Sequence, residues 1–89
     1  MNSFAFQIIT PEAVVFEADC KEVNLPGIDG RFGVLAGHMN FVSLLIPGAI
    51  IAEVAESGEV IKFDITDGFA DVTSERCVVL VESAKTNYS

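Results

Sequence analysis

The glycine-rich segment at residues 26–38, P-G-I-D-G-R-F-G-V-L-A-G-H, is the strongest candidate for chemistry in this chain. Closely spaced glycines let backbone N–H groups approach a phosphate, as in dinucleotide-binding and P-loop motifs. Those motifs need G-x-G-x-x-G before a helix, or G-K-[ST] at the end of the loop. Here the spacing is G-x-x-G-x-x-G, the charges inside are Asp29 and Arg31, and no helical pattern follows. The segment is therefore interpreted as a structured turn between strands.

The single histidine, His38, ends this segment and is the next candidate, as a general base or a metal ligand. A turn-capping or interface role is favoured, because a lone imidazole lacks the nucleophile and orienting group of a triad. Asp64, Asp67 and Asp71 form an acidic cluster without the D-x-[DN]-x-[DN]-G order of a calcium loop. Asp67 directly before Gly68 is typical of a turn. No catalytic residue, metal ligand or cofactor is predicted.

The two cysteines, Cys20 and Cys77, lie far apart in the sequence, each within an apolar or alternating run. A disulfide needs Cα atoms within about 7 Å, which the sequence alone does not establish. A zinc site is disfavoured, because no Cys-x-x-Cys pair and no second histidine accompany them. Both are expected to be buried thiols in a reducing compartment, in preference to a disulfide.

The composition indicates one acidic domain with enough apolar side chains for a core. Hydrophobic residues make up 51% of the chain, and the net charge is −8, from 13 acidic and 5 basic residues. This balance disfavours binding to nucleic acid or anionic lipid, because both need clustered Lys or Arg. No signal peptide is recognised, and no segment approaches the ~20 apolar residues of a membrane span. We expect no direct insertion into a membrane.

The hydrophobic pattern predicts strands throughout and therefore an all-β fold. Residues 4–9 and 21–25 alternate with a period of two, as strands with one buried face do. Ser57-Gly58 between two apolar runs predicts a hairpin. Residues 77–81 are apolar on both faces, which is typical of a central strand. Turn residues recur about every 8–12 positions, which favours a sandwich or a barrel.

The same pattern sets the expected boundaries. Residues 14–16 are interpreted as a short run separate from the alternating residues 21–25. Residues 41–45 are the one helix candidate, but they are few and partly β-branched. Residues 1–84 are expected to form a single domain, followed by a polar tail over residues 85–89 that frays.

The glycine segment also carries a resemblance to a known family. It resembles the signature of the epsilon subunit of bacterial F-type ATP synthases, which is called delta in mitochondria. Matching blocks flank it in the same order: I-T-P-E and V-F before it, and L-I-P-G, F-D-I, G-F-A-D-V and V-L-V-E-S-A after it. The resemblance covers residues 4 to 84, nearly the whole chain. It implies an N-terminal β-sandwich of about ten short strands.

The resemblance implies a mechanical role. In the family, this domain docks on the gamma subunit, rests on the polar loops of the membrane c-ring and belongs to the rotating central stalk. It couples proton flow to ATP synthesis without performing chemistry. The implied protein is not an enzyme, has no cofactor and is held at the cytoplasmic face of the bacterial inner membrane through the complex.

Three departures from the family pattern are informative. Full-length relatives continue into a C-terminal helical hairpin that in some members binds ATP, whereas this chain ends at Ser89. ATP binding and inhibition by that hairpin are therefore not expected, whether the chain is naturally short or has been shortened. Ala36 stands where many relatives have proline, which leaves φ freer at that turn. Arg31 stands where many have an acidic residue, and we expect the chain's own specificity at this position.

Two contact sets follow from the resemblance together with the residue types. The c-ring-facing residues are expected in the glycine segment, where glycines allow close approach and polar groups supply contacts. They are Asp29, Gly30, Arg31 and His38. The gamma-contacting residues are expected next to it and after the first strand. They are Thr10, Met39, Phe41 and Val42, and a core role is the alternative for Phe41 and Val42.

A stand-alone β-sandwich that binds a small ligand or acts as a regulatory module is the alternative function, and an enzyme is the third.

Overall fold

The computed structural model describes residues 2–37 and 40–87. These ranges contain nine strands and no helix, which confirms the predicted all-β fold. The strands are β1 (Phe4–Ile9), β2 (Val14–Gly27), β3 (Gly30–Leu35), β4 (Phe41–Leu45), β5 (Gly48–Val54), β6 (Val60–Ile65), β7 (Gly68–Val72), β8 (Arg76–Val81) and β9 (Ala84–Asn87). No helix that is long and apolar enough to cross a membrane occurs in these ranges.

The strands form two layers that β2 joins. In sheet one, the N-terminal half of β2 pairs with β1, and β8, β7 and β4 follow in that order. In sheet two, the C-terminal half of β2 lies between β3 and β5, and β6 and β9 follow β5. The register of β2 against β5 shifts between Cys20 and Glu22. Such a bulge bends a strand, and here it lies where β2 passes from one sheet to the other.

The last residues of β2 return to sheet one. Gly27 pairs with Leu45 of β4. The N–H of Ile46 donates to the carbonyl oxygen of Pro26 at 3.0 Å. Sheet one is therefore bordered by β2 on both sides, by its first half next to β1 and by its end next to β4.

The core lies between the two sheets and follows the period of two. Phe4, Phe6 and Ile8 are buried, as the alternation of the first strand predicts. The ring of Phe16 bridges the layers, with its centroid 6.1 Å from that of Phe6 and 4.9 Å from that of Phe63 in sheet two. Tilted aromatic pairs at these distances add to the free energy gained by burial. Strand β8 lies between β1 and β7, which confirms the predicted central strand.

Two predicted boundaries differ from the structure. Residues 14–16 and 21–25 belong to one continuous strand, because the residues between them keep alternating between exposed and less exposed positions. Residues 85–87, assigned to a polar tail, instead belong to β9, which pairs with β6 from Ala84 opposite Ile65 to Asn87 opposite Lys62. Backbone pairing does not need apolar side chains, so a polar segment can form an edge strand.

Both cysteines are free and buried, as predicted. Cys20 lies opposite Phe4 and Cys77 opposite Phe6, on strands that flank β1. Burial raises the pKa of Cys20 to about 11, with a smaller contribution from the carboxylate of Asp19. Burial likewise raises the pKa of Cys77 to about 12. Both thiols are therefore protonated and unreactive at neutral pH.

Candidate docking surfaces

The glycine segment forms the β2–β3 hairpin. Gly27 and Gly30 are its last paired residues, and Ile28 and Asp29 form the turn between them. Gly30 has a φ of 123°, in the region that favours glycine. A Cβ on Gly27 would lie 2.7 Å from the carbonyl oxygen of Gly30 and 2.9 Å from the ring of Phe32. The predicted structured turn is confirmed, and a strand follows where a phosphate-binding loop would need a helix.

The hairpin tip, residues 28–30, is tied to both sheets. The N–H of Ile28 donates to the carbonyl oxygen of Leu44 in sheet one at 3.0 Å. On the other side, Arg31 Nη2 donates to the carbonyl oxygen of Ala49 in β5 at 2.6 Å. Arg31 Nε donates to Asn24 Oδ1 at 2.6 Å. These contacts fix the tip relative to the body of the domain.

The structure brings together three of the four predicted c-ring-facing residues. Asp29 and Gly30 are exposed at the hairpin tip, and Arg31 is the first residue after it. No described residue donates a hydrogen bond to the Asp29 carboxylate or pairs with it, whereas the Arg31 guanidinium is engaged within the domain. His38 lies outside the described residues, so its predicted role stays a prediction.

The outer face of sheet one carries a straight row of apolar side chains. Leu44 of β4 lies opposite Phe69 of β7, Phe69 lies opposite Leu80 of β8, and Leu80 lies opposite Ile9 of β1. We call these four residues the apolar row. Leu44 is 59% exposed and Phe69 42% exposed. Contiguous apolar side chains on an outer sheet face are typical of an interaction surface.

The neighbouring positions set the limits of this surface. In the next row along the strands, Val42 is 67% exposed and lies opposite Asp71. That row becomes polar toward β1 and β2, where Gln7 Nε2 donates to Glu17 Oε2 at 2.7 Å. At the corner next to the hairpin, Ile28 is also exposed. The apolar surface therefore extends toward the hairpin tip and ends in polar residues on the other side.

A groove of about 450 Å³ runs along the β1 end of the apolar row. Its walls include Ile9, Phe69 and Leu80 from the row, and Thr10 and Pro11 from the turn after β1. The turn is closed by backbone hydrogen bonds in both directions between residues 10 and 13. The groove is open along one side and mostly apolar, which suits a segment of a protein partner better than a small polar ligand.

The predicted gamma-contacting residues lie on different sides of the domain. Thr10 lines the groove, and Val42 lies on the outer face beside the apolar row. Phe41 lies on the inner side of β4, where its ring meets that of Phe32 edge-on with centroids 5.6 Å apart and packs against the core. Met39 lies outside the described residues.

Four residues of the apolar surface were not predicted from the sequence: Leu44, Phe69, Leu80 and Ile28. Leu44 lies in the run F-V-S-L-L-I, where apolar residues occupy both faces and the period of two is lost. Phe69 and Leu80 join the row only because β7 and β8 pair with β4 and β1, and this pairing is not visible in a local pattern. The one local signal for an exposed Ile28 was that Gly27 and Gly30 flank residues 28 and 29, as glycines often do around a hairpin turn.

Within the described ranges, no group of three or more His, Cys, Asp or Glu side chains could hold a metal ion. The two buried thiols lie in the core and reach neither surface. The surfaces described above therefore consist of apolar and singly charged groups suited to contacts with another protein.

The chain is similar to known proteins over nearly its whole length. Residues 3–87 match a family model described as ATP synthase, Delta/Epsilon chain, beta-sandwich domain. The chain is 40% identical over 84 residues to the ATP synthase epsilon chain of Sulfurovum sp. (strain NBC37-1), a match that covers 94% of this chain and 65% of that protein. It is 35% identical over 83 residues to the epsilon chain of Brucella canis, covering 93% of this chain and 61% of the relative. The chain thus spans less than two thirds of the length of these relatives.

Two solved structures share the fold. A chain in the Euglena gracilis mitochondrial ATP synthase OSCP/F1/c-ring complex superposes with a TM-score of 0.87 at 23% identity, covering 94% of this chain and 53% of that one. A chain in the Tetrahymena thermophila mitochondrial ATP synthase central stalk and c-ring superposes with a TM-score of 0.74 at 18% identity, covering 92% and 65%. At these identities the likeness is one of fold.

Proposed function

Because this chain belongs to the delta/epsilon-chain family of ATP synthases through its β-sandwich domain, we propose that it is a non-catalytic subunit of the rotating central stalk. The resemblance found in the glycine segment is thereby confirmed. In this role the protein couples rotation of the c-ring to the gamma subunit and so to ATP synthesis. It is held at the cytoplasmic face of the bacterial inner membrane through the complex. The alternative, a stand-alone module for a small ligand, is not favoured.

The family match carries this proposal, and one hydrogen bond supports it. The N–H of Ile28, in the hairpin tip, donates to the carbonyl oxygen of Leu44, at the first position of the apolar row. Two candidate docking surfaces are thus adjacent and connected through the backbone. A subunit that transmits rotation between two partners needs such a stiff connection, because a flexible one would absorb the motion.

The gamma subunit is proposed to dock on the apolar row and the groove beside it. Thr10 and Val42 contribute to this surface directly, in line with their predicted role, and Leu44 and Phe69 add large exposed apolar side chains. Large side chains at the centre of an interface contribute most of the binding free energy. Phe41 contributes from behind, by holding β4 against the core.

The c-ring is proposed to face the hairpin tip. Asp29 and Gly30 are exposed there, where a two-residue turn joins β2 to β3. The backbone of a glycine-containing turn allows a partner loop to approach closely. His38 remains a predicted contact, and Arg31 was predicted in the same set, but its guanidinium is engaged within the domain.

A non-catalytic role is supported by the chemistry of the available groups. The nucleophilic candidates, Cys20 and Cys77, are buried with raised pKa values. The described surfaces offer apolar side chains and isolated charges, which bind a partner but do not supply an acid, a base and a nucleophile together.

The proposal is tested by purifying a tagged copy of the full chain from the source organism under conditions that keep its ATP synthase intact. We expect the gamma subunit and the c-ring to co-purify in stoichiometric amounts. Recovery of the tagged chain alone, while gamma remains with the rest of the enzyme, would overturn the assignment.

A further inference from the structure

We propose that Arg31 is a positioning residue, whose guanidinium fastens the β2–β3 hairpin to β5, and that the group the hairpin tip offers its partner is the unpaired carboxylate of Asp29. This inference rests on the proposed function, since the partner is taken to be a loop of another subunit of the same complex. It replaces the prediction that Arg31 itself contacts the partner.

Pro26 leaves a gap in the backbone hydrogen bonding of sheet two. Strands β2 and β5 pair antiparallel, with Asn24 opposite Ile51, and this pairing goes no further along β2. Two residues later the same register would place Pro26 opposite Ala49. Proline has no N–H, so it cannot donate to the carbonyl oxygen of Ala49. The carbonyl of Pro26 is in turn taken by the N–H of Ile46.

Arg31 fills this gap. It lies opposite Pro26 on β3, and its Nη2 donates to the carbonyl oxygen of Ala49 at 2.6 Å. Its Nε donates to Asn24 Oδ1, also at 2.6 Å. The planar guanidinium thus reaches from β3 across β2 to β5 and replaces a backbone hydrogen bond that proline removes. Only arginine has donors spaced for both acceptors, because a lysine presents a single nitrogen.

The hairpin tip carries an unpaired carboxylate. Short charge-assisted hydrogen bonds hold the Arg31 guanidinium against the outer face of sheet two. Asp29 lies two residues earlier in the exposed turn, and its carboxylate has no hydrogen-bond or ion-pair partner among the described residues. The tip therefore presents a negative group, and a partner loop with a cation or N–H donors complements it.

The test is a double-mutant cycle on Arg31 and Asn24. The measured quantity is the affinity of the full chain for ATP synthase from the same organism that has been depleted of its own copy of this subunit. If Arg31 acts by positioning, Arg31→Ala weakens binding about tenfold, and adding Asn24→Ala weakens it no further. Losses that multiply in the double variant would overturn the inference, because they indicate an independent contact between Arg31 and the partner.

Three further variants separate the effect of position from the effect of charge. Arg31→Lys keeps the positive charge without the paired donors, so we expect binding as weak as in Arg31→Ala; full recovery would contradict a positioning role. Asp29→Lys should weaken binding at least tenfold, whereas Glu56→Lys, an exposed site on the β5–β6 turn, should not. Equal effects of the two reversals would refute the assignment of the tip charge to Asp29.

A measurement on the free chain completes the test. Hydrogen exchange of the Arg31 Nε–H, followed by NMR, should be at least tenfold slower than that of the exposed Arg76 and should speed up in Asn24→Ala. Equal exchange at both arginines would overturn the inference. If the unmodified chain fails to bind the depleted enzyme at all, the proposed function fails instead, and the exchange result still decides whether Arg31 fixes the hairpin.

Discussion

Leu44 and Phe69 are direct partners across β4 and β7, and both leave a large apolar side chain on the outer face of sheet one. Leu80 and Ile9 continue the same line across two more strands. Burying such side chains against a partner gains about 25 cal/mol for each Å² removed from water. Their exposure does not stabilise the isolated domain. We therefore expect the gamma subunit to dock on this face.

Leu44→Glu and Phe69→Glu should therefore abolish co-purification of gamma while the domain stays folded. Each places a charge in the middle of the proposed interface, where desolvating it costs several kcal/mol. Both positions are exposed, so the free energy of unfolding should change by less than about 1 kcal/mol. Val60→Glu is the matched control, because Val60 is 58% exposed on sheet two, away from the apolar row. Loss of gamma in the control as well would contradict a specific surface.

Phe41 and Val42, adjacent in sequence, should respond in opposite ways to truncation. Phe41→Ala removes a ring that packs on Phe32 and the core, and should lower the free energy of unfolding by about 2 kcal/mol. Val42→Ala should change it by less than about 0.5 kcal/mol and instead weaken gamma binding. Urea unfolding and a binding titration on both variants decide the matter. Equal losses of stability in the two variants would contradict the placement of Phe41 on the inner face and Val42 on the outer face of β4.

Gly27→Ala and Gly33→Ala should differ although both glycines belong to the same hairpin. A Cβ at residue 27 would meet the carbonyl oxygen of Gly30 at 2.7 Å and the Phe32 ring at 2.9 Å. Forcing these groups apart should cost about 1–3 kcal/mol in urea unfolding. A Cβ at residue 33 would meet only the end of the Glu22 side chain at 3.4 Å, so that variant should be neutral or slightly more stable. A Gly27→Ala protein as stable as the unmodified chain would contradict the close packing at the base of the turn.

The buried thiols should make the domain less stable at high pH. Folding raises the pKa of Cys20 from 9.0 to about 11 and that of Cys77 to about 12, so the folded state keeps protons that the unfolded state releases. This contribution to stability is complete below pH 9 and is lost as the pH rises toward 11 and 12. Between pH 8 and 10, unfolding should become easier by about 2 kcal/mol. Urea unfolding at both pH values checks this, and Cys20→Ala/Cys77→Ala is the control. The double variant should lack this part of the pH dependence. If its free energy of unfolding falls with pH as steeply as that of the unmodified chain, the prediction is contradicted.

The parts of the fold that depend on local patterns were predictable. Alternation at Phe4, Phe6 and Ile8 predicted β1 and its buried face, since a period of two follows from strand geometry. Ser57-Gly58 predicted the β5–β6 hairpin, and the glycine segment predicted a shaped turn. In each case the relevant chemistry lies within a few residues.

The parts that depend on pairing between distant segments were not predictable. The apolar row needs β1, β8, β7 and β4 side by side, an order unlike that of the sequence. The engagement of Arg31 depends on a carbonyl of Ala49 in another strand, which lacks its ladder donor because of Pro26. Strand β9 is polar, so its pairing with β6 left no hydrophobic signal. Only the three-dimensional structure separates Phe41 from Val42.

The parallel pairing of β1 with β8 joins the first strand to one that is synthesised much later. Ala5 pairs with Arg76 and Phe6 with Cys77, so β1 cannot complete its pairing until these distant residues have left the ribosome. Until then Phe4 and Phe6 have no complete core to enter. Long-range strand pairing of this kind is slow and leaves apolar segments open to aggregation. Nascent chains of this protein should therefore depend on chaperones that shield the N-terminal strand until β8 emerges.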